Sequence, residues 1–223
     1  MAATTTPRCS NQGNYVPHAL ISESTGTVSD GVAFHVFERE QVLDMPQTDV
    51  FRFFSDASNL RLITPASLDF KFEEPPPEPL EVGSEIRYQI RVAGLPVRWK
   101  TRIREWDPPH RFADLQARGP YAYWLHTHTF SDIGQDRTLM RDRVIYKVPL
   151  GPLGEVVRRL FVAPQLKQIF DYREGAFGPA IRGEQTPQVS MSAATRGGML
   201  AMAGIGGVAA LTAAAWWKRS RST

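Results

Sequence analysis

Hydrophobic and polar residues alternate with a period of two along most of the chain between residues 33 and 148. This alternation is typical of strands that bury one face and expose the other. Segments rich in Gly and Pro separate the alternating runs, as expected for turns between antiparallel strands. The predicted strands cover residues 34–43, 68–72, 85–92, 97–106, 111–118, 121–131 and 137–148.

Two segments break the alternation and predict helices instead. After the first strand, Pro46 stands at a position that a first helical turn tolerates, and an amphipathic helix follows it. That helix breaks near residues 55–59, and a short second helix runs to Thr64 and Pro65. A long helix closes the alternating region, with Pro164 marking a kink or a join. The apolar residues at helical spacing are Val50, Phe51, Phe53 and Phe54 in the first helix, and Val156, Val157, Leu160, Phe161, Leu166, Ile169 and Phe170 in the last.

The order of these elements predicts an α+β helix-grip fold. In that fold a curved antiparallel sheet, here of about seven strands, wraps a long C-terminal helix and leaves a cavity, with two short helices after the first strand. A chain of 223 residues with 42% hydrophobic content is long enough for one buried core and tails. We therefore predict a domain over residues 33–183, a disordered leader over 1–32 and a linker over 184–196.

The C-terminal region has the length of a membrane span. Residues 197–217 carry no charge, and as a helix they would reach about 31 Å, close to the hydrocarbon thickness of a bilayer. Trp216 and Trp217 would lie at the headgroup level, followed by a basic tail over 218–223. This indicates a transmembrane helix, although Ala/Gly-rich composition also suits a flexible tail. The basic residues after the run favour a cytoplasmic C-terminus. With no export signal ahead of the domain, however, we expect a single-pass membrane protein whose domain is cytosolic, while the leader would permit organelle targeting.

Charge and cysteine content exclude some classes of partner. The net charge of +3 equals the charge of three basic residues of the tail, Lys218, Arg219 and Arg221, so the rest of the chain is neutral by this count. We therefore expect no nucleic-acid partner. The single cysteine, Cys9, excludes an internal disulfide and a metal site built from several cysteines.

One face of the predicted sheet carries aromatic residues together with a few polar side chains. Small-molecule sites are usually built in this way. The polar members are informative, because buried polar groups are costly unless they are hydrogen-bonded. The same aromatic residues could also simply fill a core. The predicted ligand-binding residues are Tyr88, Trp99, Thr101, Asp114, Gln116, Trp124, His126, His128, Asp142, Tyr146, Phe161 and Ile169.

His126 and His128 lie two residues apart on one predicted strand, so both imidazoles point to the same face. They could be structural, hydrogen-bonded on neighbouring strands to Asp142, Asp114, Gln116 or Tyr146. They could contact a ligand, or act with Asp142 as candidate catalytic residues in proton transfer, since the pKa of histidine, about 6.5, suits that role. They could also bind a metal with an aspartate. No third histidine or cysteine is suitably placed, so we predict no metal and no cofactor.

Three segments carry a resemblance to a known superfamily. They are NLRLITP (residues 59–65), VRWKTRIREWDPPHRFADLQARGPYAYWLHTHTF (97–130) and DRVIYKVPLGPLG (142–154). These segments resemble the SRPBCC or START-like superfamily, of Bet v 1-type helix-grip fold, and specifically its ligand-binding polyketide cyclase/dehydrase-type branch. The resemblance covers nearly the whole predicted domain. It implies the fold and a cavity, but the superfamily includes lipid carriers, coenzyme Q-binding proteins, aromatase/cyclases and hormone receptors, so it does not fix a reaction.

Together these features predict a membrane-tethered protein that binds or transports a hydrophobic small molecule or lipid. A quinone or a polyketide-like compound would suit such a cavity. The alternative is an enzyme of the cyclase or dehydratase kind, with His126 or His128 as general acid or base. We expect the non-enzymatic function, because the residues indicate a pocket more clearly than they indicate a reaction.

Overall fold

An antiparallel sheet frames the domain in the computed structural model, which describes residues 20–27, 33–92 and 95–186. The strand order in the sheet is β1-β2-β8-β7-β6-β5-β4-β3. Consecutive strands from β3 to β8 are therefore neighbours, as in a meander. The eight strands of the described residues are β1 (Leu20–Thr27), β2 (Ala33–Leu43), β3 (Lys71–Phe72), β4 (Glu85–Val92), β5 (Leu95–Asp107), β6 (Arg111–Arg118), β7 (Tyr123–Asp132) and β8 (Thr138–Lys147).

The helices lie at the two positions that the sequence predicts. Helix α1 (Gln47–Ser55) follows β2, and two 3₁₀ turns, Ala57–Arg61 and Ala66–Leu68, lead into β3. After β8 come α2 (Gly151–Val157) and α3 (Ala163–Ile181). The order and types of these elements confirm the helix-grip fold.

A π-helical turn, Arg158–Val162, joins α2 to α3 at the predicted proline. Pro164 has no N–H, so it cannot donate the α-helical hydrogen bond to the carbonyl oxygen of Leu160. Just before it, the N–H of Ala163 donates to the carbonyl oxygen of Arg158, five residues earlier. The proline therefore marks a join within one continuous helical segment.

The structure corrects two boundaries. Strand β1 lies inside the predicted disordered leader, and it pairs with β2 from Leu20 opposite Glu40 to Thr27 opposite Ala33. The predicted strand over 68–72 shrinks to two residues, because Ala66–Leu68 form a 3₁₀ turn. The rest of the leader, residues 1–19 and 28–32, lies outside the described residues, as do the linker from residue 187, the predicted span over 197–217 and the basic tail. Within the described part of the chain, no helix is long and apolar enough to span a bilayer.

Three apolar clusters form the core. The first joins α1 to the second half of α3, where Phe54 stacks on Phe177 with 5.1 Å between ring centroids. The second joins β2 and β7 to the first half of α3, and Phe37 lies 4.8 Å from Phe170. The third, around Ile86, lies under the 3₁₀ turns. Helix α3 is thus held against one face of the sheet at both of its ends.

A buried ionic contact also connects α3 to the sheet. Nη1 of Arg39, on β2, lies 2.6 Å from Oδ1 of Asp171, and its Nη2 contacts the carboxylate of Glu174. Arg39 and Glu174 are both buried, whereas Asp171 is partly exposed and also pairs with Lys167 at 2.8 Å. We call Arg39, Asp171 and Glu174 the helix clamp. It fixes the position of α3, which forms one wall of the site described next.

Candidate functional site

A cavity of about 350 Å³ lies between the sheet and α3. Residues of β4 to β7 form its floor, and α1 with the 3₁₀ turns closes one side. Most lining residues are apolar or aromatic. The volume lies in the lower part of the range of about 300–1,000 Å³ that is usual for small-molecule sites. Apart from tyrosine and tryptophan, the polar residues of the lining are Thr64, Thr101, Asp114, His126, His128, Gln165 and Arg173.

Four rings from neighbouring strands and the β6–β7 turn form what we call the aromatic wall: Tyr88, Trp99, Tyr121 and Trp124. Trp99 is central, with ring centroids 6.1 Å from Tyr88, 5.6 Å from Tyr121 and 5.4 Å from Trp124. Burial raises the pKa of both Tyr88 and Tyr121, so both hydroxyls stay protonated near neutral pH. The indole Nε1 of Trp99 is buried without a hydrogen-bond partner among the described residues. The wall therefore offers aromatic faces and hydrogen-bond donors.

Strand register brings four polar residues together at one end of the cavity, as the His-Asp cluster. On β7, His126 and His128 share the inner face. Asp114 lies directly opposite His126 on β6, and Asp142 lies directly opposite His128 on β8. Residues directly opposite each other in antiparallel strands have adjacent side chains. The two imidazoles are thus flanked by one carboxylate on each side.

The cluster is buried and its distances are short. Nε2 of His126 lies 2.9 Å from Oδ1 of Asp142 and is hydrogen-bonded to it. Nδ1 of His128 lies 2.7 Å from the same oxygen but is not aligned with it for a hydrogen bond. On the other side, Oδ2 of Asp114 is 3.7 Å from Nδ1 of His126 and 3.7 Å from Nε2 of His128. Asp142 is therefore in contact with both imidazole rings, while Asp114 lies beyond hydrogen-bond distance of both.

The two imidazoles have opposite electrostatic environments. Burial lowers the pKa of His126, and the neighbouring charge of His128 lowers it further, despite the attraction of Asp142. Burial also acts to lower the pKa of His128, but the negative charges of Asp142 and Asp114 outweigh it and the pKa is raised. Burial acts to raise the pKa of Asp142, yet both imidazoles hold that pKa below its usual range. Asp142 is therefore a carboxylate in the folded protein.

Arg173 brings a positive charge from α3 to the same end of the cavity. Its Nη1 lies 4.0 Å from Oδ1 of Asp142, and its guanidinium carbon lies 4.9 Å from the centroid of Phe170. The side chain is only 12% exposed, and its Nε is buried without a hydrogen-bond partner among the described residues. A guanidinium with spare donors in a cavity wall is suited to bind an oxygen of a ligand.

A family comparison agrees with this architecture. The model of the family described as "Polyketide cyclase / dehydrase and lipid transport" matches residues 35–176, which is more than half of the chain. The chain belongs to this family. The matched segment of the polyketide cyclase/dehydrase family runs from β2 into α3, so it contains the whole cavity floor. Among proteins of curated function, no match was found.

Solved structures show the same fold at low sequence identity. Protein TTHA0849 of Thermus thermophilus has a TM-score of 0.52 and 18% identity, over 65% of this chain and 98% of that one. The Zhui aromatase/cyclase of a Streptomyces species has a TM-score of 0.50 and 16% identity, over 67% of this chain and 92% of that one. A point mutant of norcoclaurine synthase from Thalictrum flavum has a TM-score of 0.50 and 18% identity, over 68% and 94%. At these identities the likeness establishes the fold alone.

The structure distributes the predicted ligand-binding residues between the cavity and other positions. Gln116 does not line the cavity; its amide instead bonds to the backbone N–H and carbonyl of Tyr121 across the β6–β7 turn. Tyr146 is fully buried in the core, and Phe161 lies on the π-helical turn outside the lining. Asp142 is not part of the lining either, although it contacts both histidines. The predicted residues that do line the cavity are Tyr88, Trp99, Thr101, Asp114, Trp124, His126, His128 and Ile169.

Some lining residues lie outside the predicted set. Arg173 is the most important for chemistry, and its spacing could have revealed it: it lies three and four residues after Phe170 and Ile169, on the same helix face. Phe54 and Ile63 line the cavity from α1 and the segment after the first 3₁₀ turn. No spacing rule connects that segment to the sheet, because its position depends on tertiary packing.

Proposed function

We propose that the domain binds a compact, largely aromatic small molecule in the cavity between the sheet and α3. The observation that carries this proposal is the cavity itself, in which apolar and aromatic walls enclose a few polar groups at one end. Such a site replaces water around an apolar molecule and fixes its orientation through its polar end. Membership of the polyketide cyclase/dehydrase family supports a hydrophobic ligand.

The size and shape of the cavity favour a ring compound over a whole diacyl lipid. The volume of about 350 Å³ is small for a ligand with two long chains. The aromatic wall presents ring faces and edges, against which a planar molecule packs well. A polyketide-like or quinone-like compound has this combination of flat apolar rings and peripheral oxygens. The unpaired donors of Trp99 and Arg173 are suited to those oxygens.

Native mass spectrometry of the full chain, purified from the organism that makes it, tests this proposal. A discrete compound should co-purify with the protein. Ile169→Trp, which adds an indole in the cavity lining, should expel that compound, whereas Gln168→Trp adds the same group at an exposed position and should retain it. Equal retention in both variants, or a chain that never carries a compound, would contradict stable binding in this cavity.

We further propose that the C-terminal run over 197–217 tethers the domain to a membrane, with the domain on the cytosolic side. The absence of charge over that run and the tryptophan pair at its end support a membrane span. An exposed apolar patch, Leu153, Val156 and Leu160, supports contact with a lipid surface beside the cavity, because the neighbouring Val157 lines it. A ligand with little solubility in water would then be taken up directly from the bilayer.

Fractionation of cells that express the full chain tests the tether. The full chain should remain with membranes after a high-salt wash, and a chain truncated after Thr186 should be released. Recovery of the full chain in the soluble fraction would refute the anchor. Release of both forms by salt alone would indicate a surface attachment instead.

A second candidate function, proton transfer in a cyclisation or dehydration, is favoured by one specific observation. His126 donates a ring N–H to the carboxylate of Asp142, and both histidines line the cavity. A carboxylate behind an imidazole fixes its tautomer and orientation, which is how histidine acts as a general base. His126→Gln and His128→Gln should then abolish conversion of the co-purified compound or its precursor while leaving its binding nearly unchanged. Loss of binding without any conversion by the wild type would leave the carrier function alone.

A further inference from the structure

The His-Asp cluster presents three potential metal ligands to the cavity at once. Asp114, His126 and His128 each offer one ligand atom, and these atoms all lie within 4.8 Å of one another. The three side chains come from two adjacent strands, which are rigid elements, and all three line the cavity. We propose that Asp114, His126 and His128 bind a divalent transition-metal ion such as Zn²⁺, with its open coordination positions facing the cavity. This site does not depend on the identity of the organic ligand.

The distances within the cluster fit a metal better than they fit direct hydrogen bonds. Oδ2 of Asp114 is 3.7 Å from the nearest nitrogen of each imidazole, which is too long for a hydrogen bond. Two ligand atoms that each lie about 2.1 Å from a tetrahedral metal are about 3.4 Å apart. A movement of a few tenths of an ångström would bring the Asp114 carboxylate to that spacing from each of the two imidazole nitrogens.

The remaining carboxylate occupies the position that supports metal-binding histidines. Metal-ligating imidazoles commonly donate their second N–H to a carboxylate, which fixes the tautomer and the ring orientation. Here Nε2 of His126 donates to Oδ1 of Asp142 at 2.9 Å, and Nδ1 of His128 lies 2.7 Å from the same oxygen, close to it but not aligned for a hydrogen bond. Those contacts direct the opposite nitrogens, Nδ1 of His126 and Nε2 of His128, toward Asp114. Asp142 itself is behind the rings and outside the cavity lining, as this role requires.

The donor set indicates the class of metal and of site. Two histidines and one carboxylate suit zinc or another divalent first-row transition metal, rather than Mg²⁺ or Ca²⁺, which prefer oxygen ligands. Three protein ligands leave positions open for a ligand oxygen, as in catalytic rather than structural sites. Arg173, which also lines the cavity, brings a guanidinium nitrogen to 4.0 Å from Oδ1 of Asp142. Arg173 and the two carboxylates together carry a net negative charge, which offsets part of the double positive charge of the metal.

From the sequence, a metal held by the two histidines and an aspartate was one alternative, but it was not the predicted one. The sequence contains no third histidine or cysteine near His126 and His128, so a metal was not predicted. Only the pairing of β6 with β7 shows that Asp114 is opposite His126 and can supply the third ligand.

Metal binding by the full chain tests the proposal directly. All proteins carry Cys9→Ser, which removes the single thiol as a competing ligand. After chelator treatment, Zn²⁺ is added and equilibrium dialysis measures the bound metal, and Co²⁺ provides a visible spectrum. We expect one equivalent of either ion, and a Co²⁺ spectrum that changes when acetohydroxamate, a small chelator, enters the open positions.

Matched variants locate the metal. Asp114→Asn and His128→Gln each remove a ligand with little change of shape and should nearly abolish binding. Asp142→Asn should weaken it by roughly 10–100-fold, the usual effect of removing an outer carboxylate. His110→Gln removes an exposed imidazole and should change nothing. Circular dichroism establishes that each variant is folded.

Several outcomes would overturn the proposal. The proposal is refuted if the wild type binds less than one equivalent of metal at micromolar concentration. It is also refuted if both ligand variants still bind the metal. If the ligand variants do not fold, X-ray absorption of the zinc-loaded wild type decides: a zinc shell with two imidazoles supports the site, and a shell without imidazole refutes it. A metal bound in a chain that carries no organic compound would support this inference while contradicting the proposed carrier, so the two can fail independently.

Discussion

The helix clamp makes a quantitative prediction about what holds α3 over the cavity. Arg39→Met removes the guanidinium but keeps much of its apolar volume. Asp171 retains Lys167 as a partner at 2.8 Å, so it loses little. The side chain of Glu174 is only 10% exposed, and in the variant its carboxylate would be buried without a cation.

The size of the effect follows from that unpaired carboxylate. Removing one partner of a buried ion pair typically costs about 3–5 kcal/mol, because the other charge stays buried without compensation. We expect about 3–4 kcal/mol for Arg39→Met, since Asp171 contributes little to the loss. Arg39→Met combined with Glu174→Met removes both charges and should return stability to within about 1 kcal/mol of the wild type. Comparing the single and double variants thus separates the cost of leaving the Glu174 carboxylate unpaired from the cost of altered packing.

Urea denaturation of the chain truncated after Thr186, followed by tryptophan fluorescence, measures these differences. Bound compound must be extracted first, because a ligand of the folded state adds to the apparent stability. Arg143→Met is the matched control: its pair with Glu38 is exposed, and its loss should cost less than about 1 kcal/mol. A cost of under 1 kcal/mol for Arg39→Met, or a double variant no more stable than the single one, would refute the argument.

Three further predictions concern the cavity and its surroundings. Trp99→Ala should reduce retention of the co-purifying compound far more than Arg98→Ala, its exposed neighbour, and equal losses by mass spectrometry would show that the aromatic wall does not hold the compound. Gly119→Ala would place a Cβ 2.2 Å from Oε1 of Gln116, so the Gln116 amide would have to give up its two hydrogen bonds to Tyr121. We expect the free energy of unfolding, measured in urea, to fall by about 1–2 kcal/mol. In a Gln116→Ala background, where the amide is absent, the same substitution should cost almost nothing. Leu153→Ser with Leu160→Ser should weaken binding to lipid vesicles at least tenfold in a co-sedimentation assay, whereas Val82→Ser, also an exposed apolar residue, should not.

The period-two pattern predicted the part of the site that depends only on strand parity. His126 and His128 share a face because they are two residues apart, and the same parity on β6 places Asp114 inward. Parity also places Gln116 inward, but it cannot show that the following turn brings the backbone of Tyr121 within reach of that amide. The Gln116 amide forms its hydrogen bonds with the backbone of the turn and therefore does not reach the cavity. A residue's face is therefore predictable, whereas its bonding partner is not.

Two other features of the structure, the position of Arg173 and the strand β1, were not predicted from the sequence. Arg173 continues the helix face of Ile169 and Phe170. A charged residue is ordinarily expected to face solvent, so the helical spacing alone does not predict that Arg173 lines the cavity. Strand β1 lies at the edge of the sheet, where backbone pairing with β2 defines it along its whole length. Its sequence, LISESTGT, lacks the clear apolar alternation that revealed the other strands. Both differences arise where the local sequence signal is weak and tertiary contacts decide.

The cost of the His-Asp cluster is itself an argument that it serves function. Burying two carboxylates and two imidazoles against one guanidinium costs several kcal/mol of desolvation per ion, which their mutual attraction barely offsets. Apolar groups of similar volume would pack the same space without that cost. We therefore predict that replacing Asp114 and Asp142 by Val, His126 and His128 by Leu, and Arg173 by Met leaves stability unchanged or raised by about 1–4 kcal/mol in urea. The same variant should bind neither metal nor the co-purifying compound. A fall in stability of more than about 2 kcal/mol would mean that these residues hold the fold together, and the structural role of the histidines would then account for them.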